Sequence, residues 1–473
     1  MNAKYRKRNI TRTAILLFIL ITLIFSFLFL NNKQQVNAKK SYLDQNTILS
    51  VIKILENEYY SDLNIKALIN GAVSGINNYC RKKLLFKTDA IKPSSEEDNE
   101  RTAVIYFKEQ YKNLVDNVIN KKSEYSSKFD ESLMVYSSVD TMLEVLYKKQ
   151  YEDPYTVLLT PKEYKIFEES MTGGNFCGIG IYLEQDRKNN MQLTVSEPIE
   201  GTPAYKAGLK PGDRIMKIDN LATKGLDIDV AVSKIRGPAG TKVLLNINRG
   251  KSPNVNNLNI EIVRAKIHVK SAVSKLINDD IGYIQLRNFA QDTKKEFDQC
   301  LATLNNRNMK ALIIDLRNNG GGYINSAVDV CSRFMPRGTV IVAVVNYRKQ
   351  TRETERSYGD DILDIPVAIL INKYSASASE IVAGAFQDTK RGILVGEKSY
   401  GKGSVQTMDP LPDGGALKYK IAIYLTPNGR NLNKKGIEPD IESKMELENI
   451  RTENDSQMKK AVDVLKSRIS GNN

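Results

Sequence analysis

The stretch that most constrains this chain runs from Pro366 to Asp388. Pro366–Ile371 is an uncharged run rich in branched residues, the composition of a buried strand. It passes through the small residues Ser375-Ala376-Ser377-Ala378-Ser379 into Glu380 and then Ile381, Val382, Ala385 and Phe386, which are spaced as one helical face. A serine is thereby set at a strand-to-helix junction, where backbone N–H groups lack intrahelical acceptors. Two readings are open: Ser375 or Ser379 caps the helix with the nearby Glu as its partner, or a serine here does chemistry.

The downstream run Gly396-Glu397-Lys398-Ser399-Tyr400-Gly401-Lys402-Gly403-Ser404-Val405-Gln406 favours chemistry. A lysine between two glycines sits where backbone can approach closely, and a desolvated lysine can lose its proton and act as base for a serine. Upstream, Ile281–Leu286 and Ala311–Leu316 read as strands and Thr293–Asn305 and Ala327–Met335 as helices. The second strand ends in Asp315-Leu316-Arg317-Asn318-Asn319-Gly320-Gly321-Gly322. Strand, glycine loop and helix, repeated, imply a twisted sheet flanked by helices.

These motifs resemble those of the carboxyl-terminal processing proteases, the PDZ-containing peptidase family S41, and the similarity runs from about Tyr151 to Asp440. The resemblance implies a multidomain α+β protein: a helical N-terminal region, a PDZ domain, and an α/β (ClpP/crotonase-like) serine protease core. It implies Ser377 as nucleophile, Lys402 as general base and Gln406 as the residue that orients the lysine. It also implies an oxyanion hole from the backbone N–H groups of Gly321 and Ala378, with Gly320 the neighbouring candidate. No metal or organic cofactor is expected. Polypeptides with free, apolar C-termini are the expected substrates, and a homodimer or higher homo-oligomer is the expected assembly.

Gly173-Gly174-Asn175-Phe176-Cys177-Gly178-Ile179-Gly180-Ile181 leads into a strand, so its glycines can converge N–H groups on an anion. No GxGxxG occurs, and no helix follows, so this is not a dinucleotide fingerprint. In PDZ domains such a loop holds a peptide's terminal carboxylate while the peptide adds a strand. That assigns Phe176, Gly178, Ile179, Gly180 and Ile181 to peptide binding. Val230–Ile235 reads as the groove helix, ended by Gly237-Pro238. Arg236 just before that stop is either a cation suited to a helix C-terminus or a coupling residue between PDZ and protease domains.

Domain limits follow: 1–40 a basic flank, apolar segment and linker; 41–150 helical, a candidate dimerisation region; 151–172 a lead-in; 173–262 PDZ; 263–442 protease core; 443–473 a C-terminal helical region. Lys4, Arg6, Lys7, Arg8 and Arg12 precede an uncharged apolar run, residues 14–30. Such a run is a single membrane anchor with the basic end inside, a signal segment cleaved near Ala38 with secretion of the remainder, or, as the weakest reading, a buried helix of a soluble fold. Either of the first two places the catalytic part outside the cytoplasmic membrane. Of the formal charge of +14, the first 40 residues hold eight basic groups and no acidic one, leaving +6 on the rest. That excess is thinly spread and argues against nucleic-acid binding. Cys80, Cys177, Cys300 and Cys331 are far apart, and His268 is the only imidazole, so the sequence gives no zinc pattern. A Ser-His-Asp triad on His268 and an SxxK centre at Ser399–Lys402 are weaker readings, the latter lacking its KTG and SDN partners. The rival from another class is a catalytically inactive PDZ scaffold at the membrane surface. The C-terminal stripe Met458, Val462, Leu465 and Ile469 reads as the apolar side of a surface helix packed on the body, whose polar face implies nothing about function.

Overall fold

The computed structural model of the chain describes residues 43–471 except 87, 96–97, 121–127, 149–150, 172–175, 187–191, 200, 227, 251–254, 269 and 446–448. The expected anchor at residues 14–30, the cleavage site at Ala38, and Gly173, Gly174 and Asn175 of the glycine loop lie outside these residues. Among the described residues no helix is long and apolar enough to cross a membrane. The chain forms two compact units, the first from residues up to Ile54, Asn64–Pro161 and Asp409–Leu417, the second from Leu55–Leu63, Lys162–Met408 and Lys418–Asn473.

In the first unit, α1 (Gln45–Glu58), α2 (Ile65–Tyr79), α3 (Glu100–Val115) and α4 (Glu131–Leu143) precede a short strand β1 (Val157–Leu159). Asn64, Asn99 and Asp130 cap α2, α3 and α4, each accepting from the backbone N–H three residues on. The seam between α2 and α4 is made of small residues. Ser138 Oγ donates to Ala72 O at 3.0 Å and Ser137 Oγ to Gly75 O at 2.9 Å, so the backbones nearly touch.

The second unit opens with α5 (Pro161–Met171) and β2 (Phe176–Gly178) and continues into the PDZ part: β3 (Ile181–Asp186), β4 (Gln192–Pro198), α6 (Pro203–Lys206), β5 (Arg214–Ile218), β6 (Leu221–Ala222), α7 (Ile228–Ile235), β7 (Lys242–Arg249) and β8 (Asn256–Val263). The strand order β3-β4-β5-β7-β8, with β6 on β5, leaves β3 at an edge. Ile179, Val195, Ile215, Ala231, Ile235 and Val243 fill the core of this part. The chain leaves it through β9 (Ala265–Ile267), which pairs antiparallel with β2.

The protease core then runs β10 (Ala272–Ile277), β11 (Ile281–Leu286), α8 (Thr293–Asn305), β12 (Ala311–Asp315), α9 (Ile324–Cys331), β13 (Val340–Asn346), β14 (Thr351–Arg356), β15 (Val367–Ile371), α10 (Ala378–Asp388), β16 (Ile393–Gly396), β17 (Ser404–Pro410), β18 (Ala416–Leu425), β19 (Ile441–Glu442) and α11 (Ser456–Ile469). Its main sheet has the order β10-β11-β12-β15-β16-β19, antiparallel only between β10 and β11. Alternate residues face opposite sides, as a pleated strand requires. Ile284, Leu312, Ile314, Ile369 and Leu394 pack with α8, α9 and α10. Tyr283, Ile313, Ala368, Leu370 and Val395 pack with Ala461, Val462 and Leu465 of α11. The C-terminal helix therefore covers one face of the sheet, packed on the body through the stripe Met458, Val462, Leu465 and Ile469 that the sequence shows. The helix expected at 327–335 begins earlier, at Ile324. The sequence analysis did not assign β13, although Val340–Val345 is a continuous apolar run, nor β14, β17 and β18, of which β14 and β17 have exposed or mixed faces.

A Cβ placed at Gly75 would lie 2.2 Å from Ser137 O, closer than any side chain tolerates. Gly75→Leu should therefore destabilise the helical unit by about 3 kcal/mol. A urea titration followed by far-ultraviolet circular dichroism would show a lowered midpoint, and an unchanged midpoint would contradict the packing described.

Candidate active site

Three neighbouring parallel strands carry the pieces of the site. β12 ends in the loop with Gly320, β15 in the loop with Ser377, and β16 in the loop with Lys402; the three are hydrogen-bonded in that order. Carboxyl ends of parallel strands are where an α/β sheet leaves its loops free to build a crevice. A cavity of about 660 Å³ opens there, lined among others by Gly320, Gly321, Ser377, Lys402, Gln406 and Tyr424.

The nucleophile candidate stands apart from its neighbours. Ser375 Oγ donates to Leu316 O at 2.8 Å, Ser379 Oγ donates to Asn319 O at 2.9 Å, and both residues are fully buried. Neither serine caps the helix, and neither lines the cavity. Ser377 is the residue that starts α10, at φ 57° and ψ −117°, a conformation that costs a non-glycine residue energy. The cost is met by the bonds around it.

Glu380 makes the central ones. Its carboxylate is buried, with Oε2 accepting the N–H of Ser377 at 2.9 Å and that of Lys402 at 2.8 Å. Oε1 accepts Gly401 N–H at 2.7 Å and the Ser399 hydroxyl at 2.6 Å. One carboxylate thus ties the backbone of the nucleophile candidate to that of the base candidate. Tyr424, buried at the cavity wall, donates its hydroxyl to Lys402 O. The glycines beside the lysine are required by chain packing: a Cβ on Gly401 would meet Gly436 N at 2.9 Å, and one on Gly403 would meet Asn433 N at 2.6 Å. Gln406 shares the cavity wall, and its amide nitrogen donates to Ser404 Oγ at 2.8 Å.

The expected oxyanion donors are held differently. Gly321 N–H donates to Asn319 Oδ1 at 2.9 Å, an Asx turn that spends this donor inside its own loop. By contrast Gly320 N–H and Ala378 N–H have no acceptor among the described residues. Gly321 has a steric role, because a Cβ there would lie 2.7 Å from Ser377 Cβ and 2.9 Å from Ala378 N. Asn319 welds the two loops: its carbonyl accepts from Ala376 N at 3.0 Å and from the Ser379 hydroxyl, and its amide donates to Leu286 O at 2.9 Å.

The cavity wall opposite includes Phe167 and Met171 of α5, with Ile324, Val405 and Met408 adding apolar surface. No sequence signal marked Phe167 and Met171, since α5 precedes the PDZ part by chain order. Arg236 Nη1 pairs with Glu169 Oε2 of the same helix at 2.8 Å. The carbonyls at the end of α7 are served instead by Arg264, which donates to Ile235 O at 2.8 Å and Lys234 O at 2.9 Å. His268 pairs with Glu296 and lines no part of the cavity. Groups of His, Cys, Asp and Glu that could hold a metal are absent among the described residues. The four cysteines are free thiols, and burial pushes Cys80 up to about 12.

In the PDZ part the residues expected as one loop divide. Phe176 and Gly178 pair with Ile267 and Ala265 in the β2–β9 ladder, so the open loop is only Ile179–Gly180. The N–H groups of Ile179 and Gly180 have no acceptor among the described residues. Gly180 has φ +83°, and a Cβ there would lie 2.4 Å from Thr202, so glycine is required. Ile181 begins the edge strand β3.

Comparison with known proteins decides the family. The Peptidase family S41 model matches residues 280–443 and a PDZ domain model matches 194–249. The carboxy-terminal processing protease CtpA of Bacillus subtilis (strain 168) is 33% identical over 324 residues, 68% of this chain and 67% of that protein. This chain belongs to the carboxy-terminal processing proteases of family S41. It is an enzyme, with a PDZ domain and an S41 protease core. A Staphylococcus aureus (strain COL) protein named "Probable CtpA-like serine protease" is 34% identical over 331 residues, 70% of this chain and 64% of that protein. A solved photosystem II D1 C-terminal processing protease is 26% identical, with a TM-score of 0.44, over 80% of this chain and 94% of that one.

Glu380→Gln puts an amide NH2 where either two N–H donors, or an N–H and a hydroxyl, now point. The variant should lose about 100-fold or more in kcat, the scale of losing one preorganised contact at a reacting centre, while KM stays within about threefold. Steady-state hydrolysis of an unstructured peptide measures both, and wild-type kcat would contradict the role.

Proposed function

We propose that this S41 protease is a Ser–Lys endopeptidase acting on extracytoplasmic polypeptides whose free C-termini its PDZ domain captures. The observation that carries the reading is the shared cavity of Ser377 and Lys402, with both backbones clipped to Glu380. In this mechanism neutral Lys402 Nζ accepts the Ser377 hydroxyl proton as Oγ bonds to the substrate carbonyl carbon. The oxyanion that forms is met by the unengaged N–H groups of Gly320 and Ala378. Collapse breaks the C–N bond, and the departing amine takes the proton from Lys402. Water then attacks the acyl-enzyme with Lys402 again as base, releasing a carboxylate. Gln406 orients the lysine amine. Phe167, Met171, Ile324, Val405 and Met408 suit an apolar side chain next to the scissile bond.

Capture rests on the edge strand β3 and the unaccepted N–H groups of Ile179 and Gly180, which fit a peptide strand ending in a carboxylate. Coupling to catalysis runs through Arg236 and Glu169 on α5, the helix that lends Phe167 and Met171 to the cavity. Residues 14–30 tether the enzyme, or are removed near Ala38; alkaline extraction of membranes separates an anchored from a released chain. The helical unit is the proposed self-association region, and light scattering on protein lacking residues 1–38 tests it.

Protein from Lys39 onward should cleave an unstructured, apolar-ended polypeptide, with Ser377→Ala inactive and Ser375→Ala retaining activity. Amidating the substrate's C-terminus removes the captured charge and should weaken PDZ binding by about 1.5 kcal/mol or more. Arg236→Ala should keep peptide affinity but lower kcat. Activity in Ser377→Ala would overturn the nucleophile, and equal affinity for free and amidated peptides would overturn capture.

A further inference from the structure

Residues 451–457, at the start of the C-terminal helix, take no part in the mechanism above, yet they complete a buried charge network directly beneath the oxyanion loop. Arg317 is 1% exposed and spends its guanidinium on three partners. Nε and Nη2 grip Asp315 at 3.0 and 2.9 Å, while Nη1 donates to Asp455 Oδ1 at 2.8 Å and Gln457 Oε1 at 3.1 Å. Arg451 reaches back from the same segment. Its Nε lies 3.2 Å from Asp315 Oδ2, and its Nη2 donates to the backbone carbonyl of Arg317 at 3.1 Å. Asp455 holds its own segment in place by accepting the N–H groups of Arg451 and Met458, each at 2.8 Å.

These bonds bear on the site through one peptide plane. The Arg317 carbonyl is fixed by Arg451, and on the other side of that plane Asn318 N–H donates to Asn372 Oδ1 at 3.0 Å. The plane so held leads into Asn318 at φ +62°, the left-handed turn that carries the chain to Asn319 and Gly320. The network is two cations and two anions, with Asp315, Arg317 and Asp455 buried and Arg451 closing it from the surface. Burial would raise the carboxyls of Asp315 and Asp455, yet the bonds from Arg317 hold both below their ordinary range. Removing one member leaves a buried charge unpaired, which moves neighbours more than losing a surface pair does.

We propose that Arg451 and Asp455 are positioning residues that set the oxyanion loop through Arg317, so that the C-terminal segment is part of the catalytic scaffold. The proposal rests on Gly320 and Ala378 as oxyanion donors at a Ser377–Lys402 centre. A peptide aldehyde with an apolar terminal residue forms a hemiacetal with the nucleophile and uses the oxyanion hole, whereas the matching peptide alcohol does not. Misplacing one donor should cost Asp455→Asn and Arg451→Met about 30-fold in kcat, with aldehyde affinity falling by a similar factor. KM and alcohol affinity should hold within about twofold, a split that general loosening of the fold would not give. An unchanged aldehyde-to-alcohol affinity ratio in both variants overturns the proposal. Should Asp455→Asn lose alcohol binding as well, through unfolding, Arg451→Lys decides by the same ratio, because it keeps the charge but not the two-pronged grip. Failure of the wild-type enzyme to prefer the aldehyde would overturn the Ser377 reading itself, and the proposal with it.

Discussion

The Glu380 carboxylate is the contact on which the site depends. A carboxylate out of water is costly unless its lone pairs are filled. Here two backbone N–H groups sit on one oxygen and an N–H and a hydroxyl on the other. Hydrogen bonds to a charged group contribute about 1.5–3 kcal/mol each, so four of them offset a burial cost of several kcal/mol. The surplus holds Ser377 in its unfavourable backbone conformation. With Ser377 N–H taken by Glu380, the first unengaged N–H of the helix is that of Ala378. The side chains of Ser377 and Lys402 face the cavity while their main chains are held from behind.

Sheet order does the rest of the placement. Because β12, β15 and β16 are adjacent and parallel, three loops far apart in sequence emerge side by side. Asn319 joins the first loop to the second through backbone bonds, and Glu380 joins the second to the third. The PDZ part is spliced in ahead of this sheet, with β2 and β9 as its paired entry and exit strands. α5, just before that splice, pairs with Arg236 and also lends Phe167 and Met171 to the cavity.

Much of this was legible in the sequence because it is local. Pro366–Phe386 carries its strand, junction serine and helix within one stretch, and the glycines around Lys402 announce close backbone approach. Even the competing capping reading held part of the truth: a capping-box glutamate does reach back, to Ser377 N–H. Its second oxygen serves residues 399–401, and only tertiary structure reveals that. Gly321 was assigned as a donor on the family resemblance, with Gly320 as its neighbouring candidate. An Asn two residues before a glycine is also an Asx-turn signal, and that turn is the bond from Gly321 N–H to Asn319 Oδ1. Phe176 and Gly178 were absorbed by a ladder with residues 265–267, a pairing too distant in sequence for local pattern to show. Asp455 and Arg451 looked like surface charges because their partners, Asp315 and Arg317, lie more than a hundred residues upstream.

The account's central claim is that Lys402 works as an uncharged amine. Nitrogen-15 NMR of the lysine Nζ groups, with the Lys402 signal assigned by its loss in Lys402→Met, reads that protonation directly as pH is raised. The account predicts a midpoint well below the ordinary value of about 10.4 and matching the rise in kcat/KM. An ammonium signal that persists past that value, while the enzyme turns over at lower pH, would contradict it.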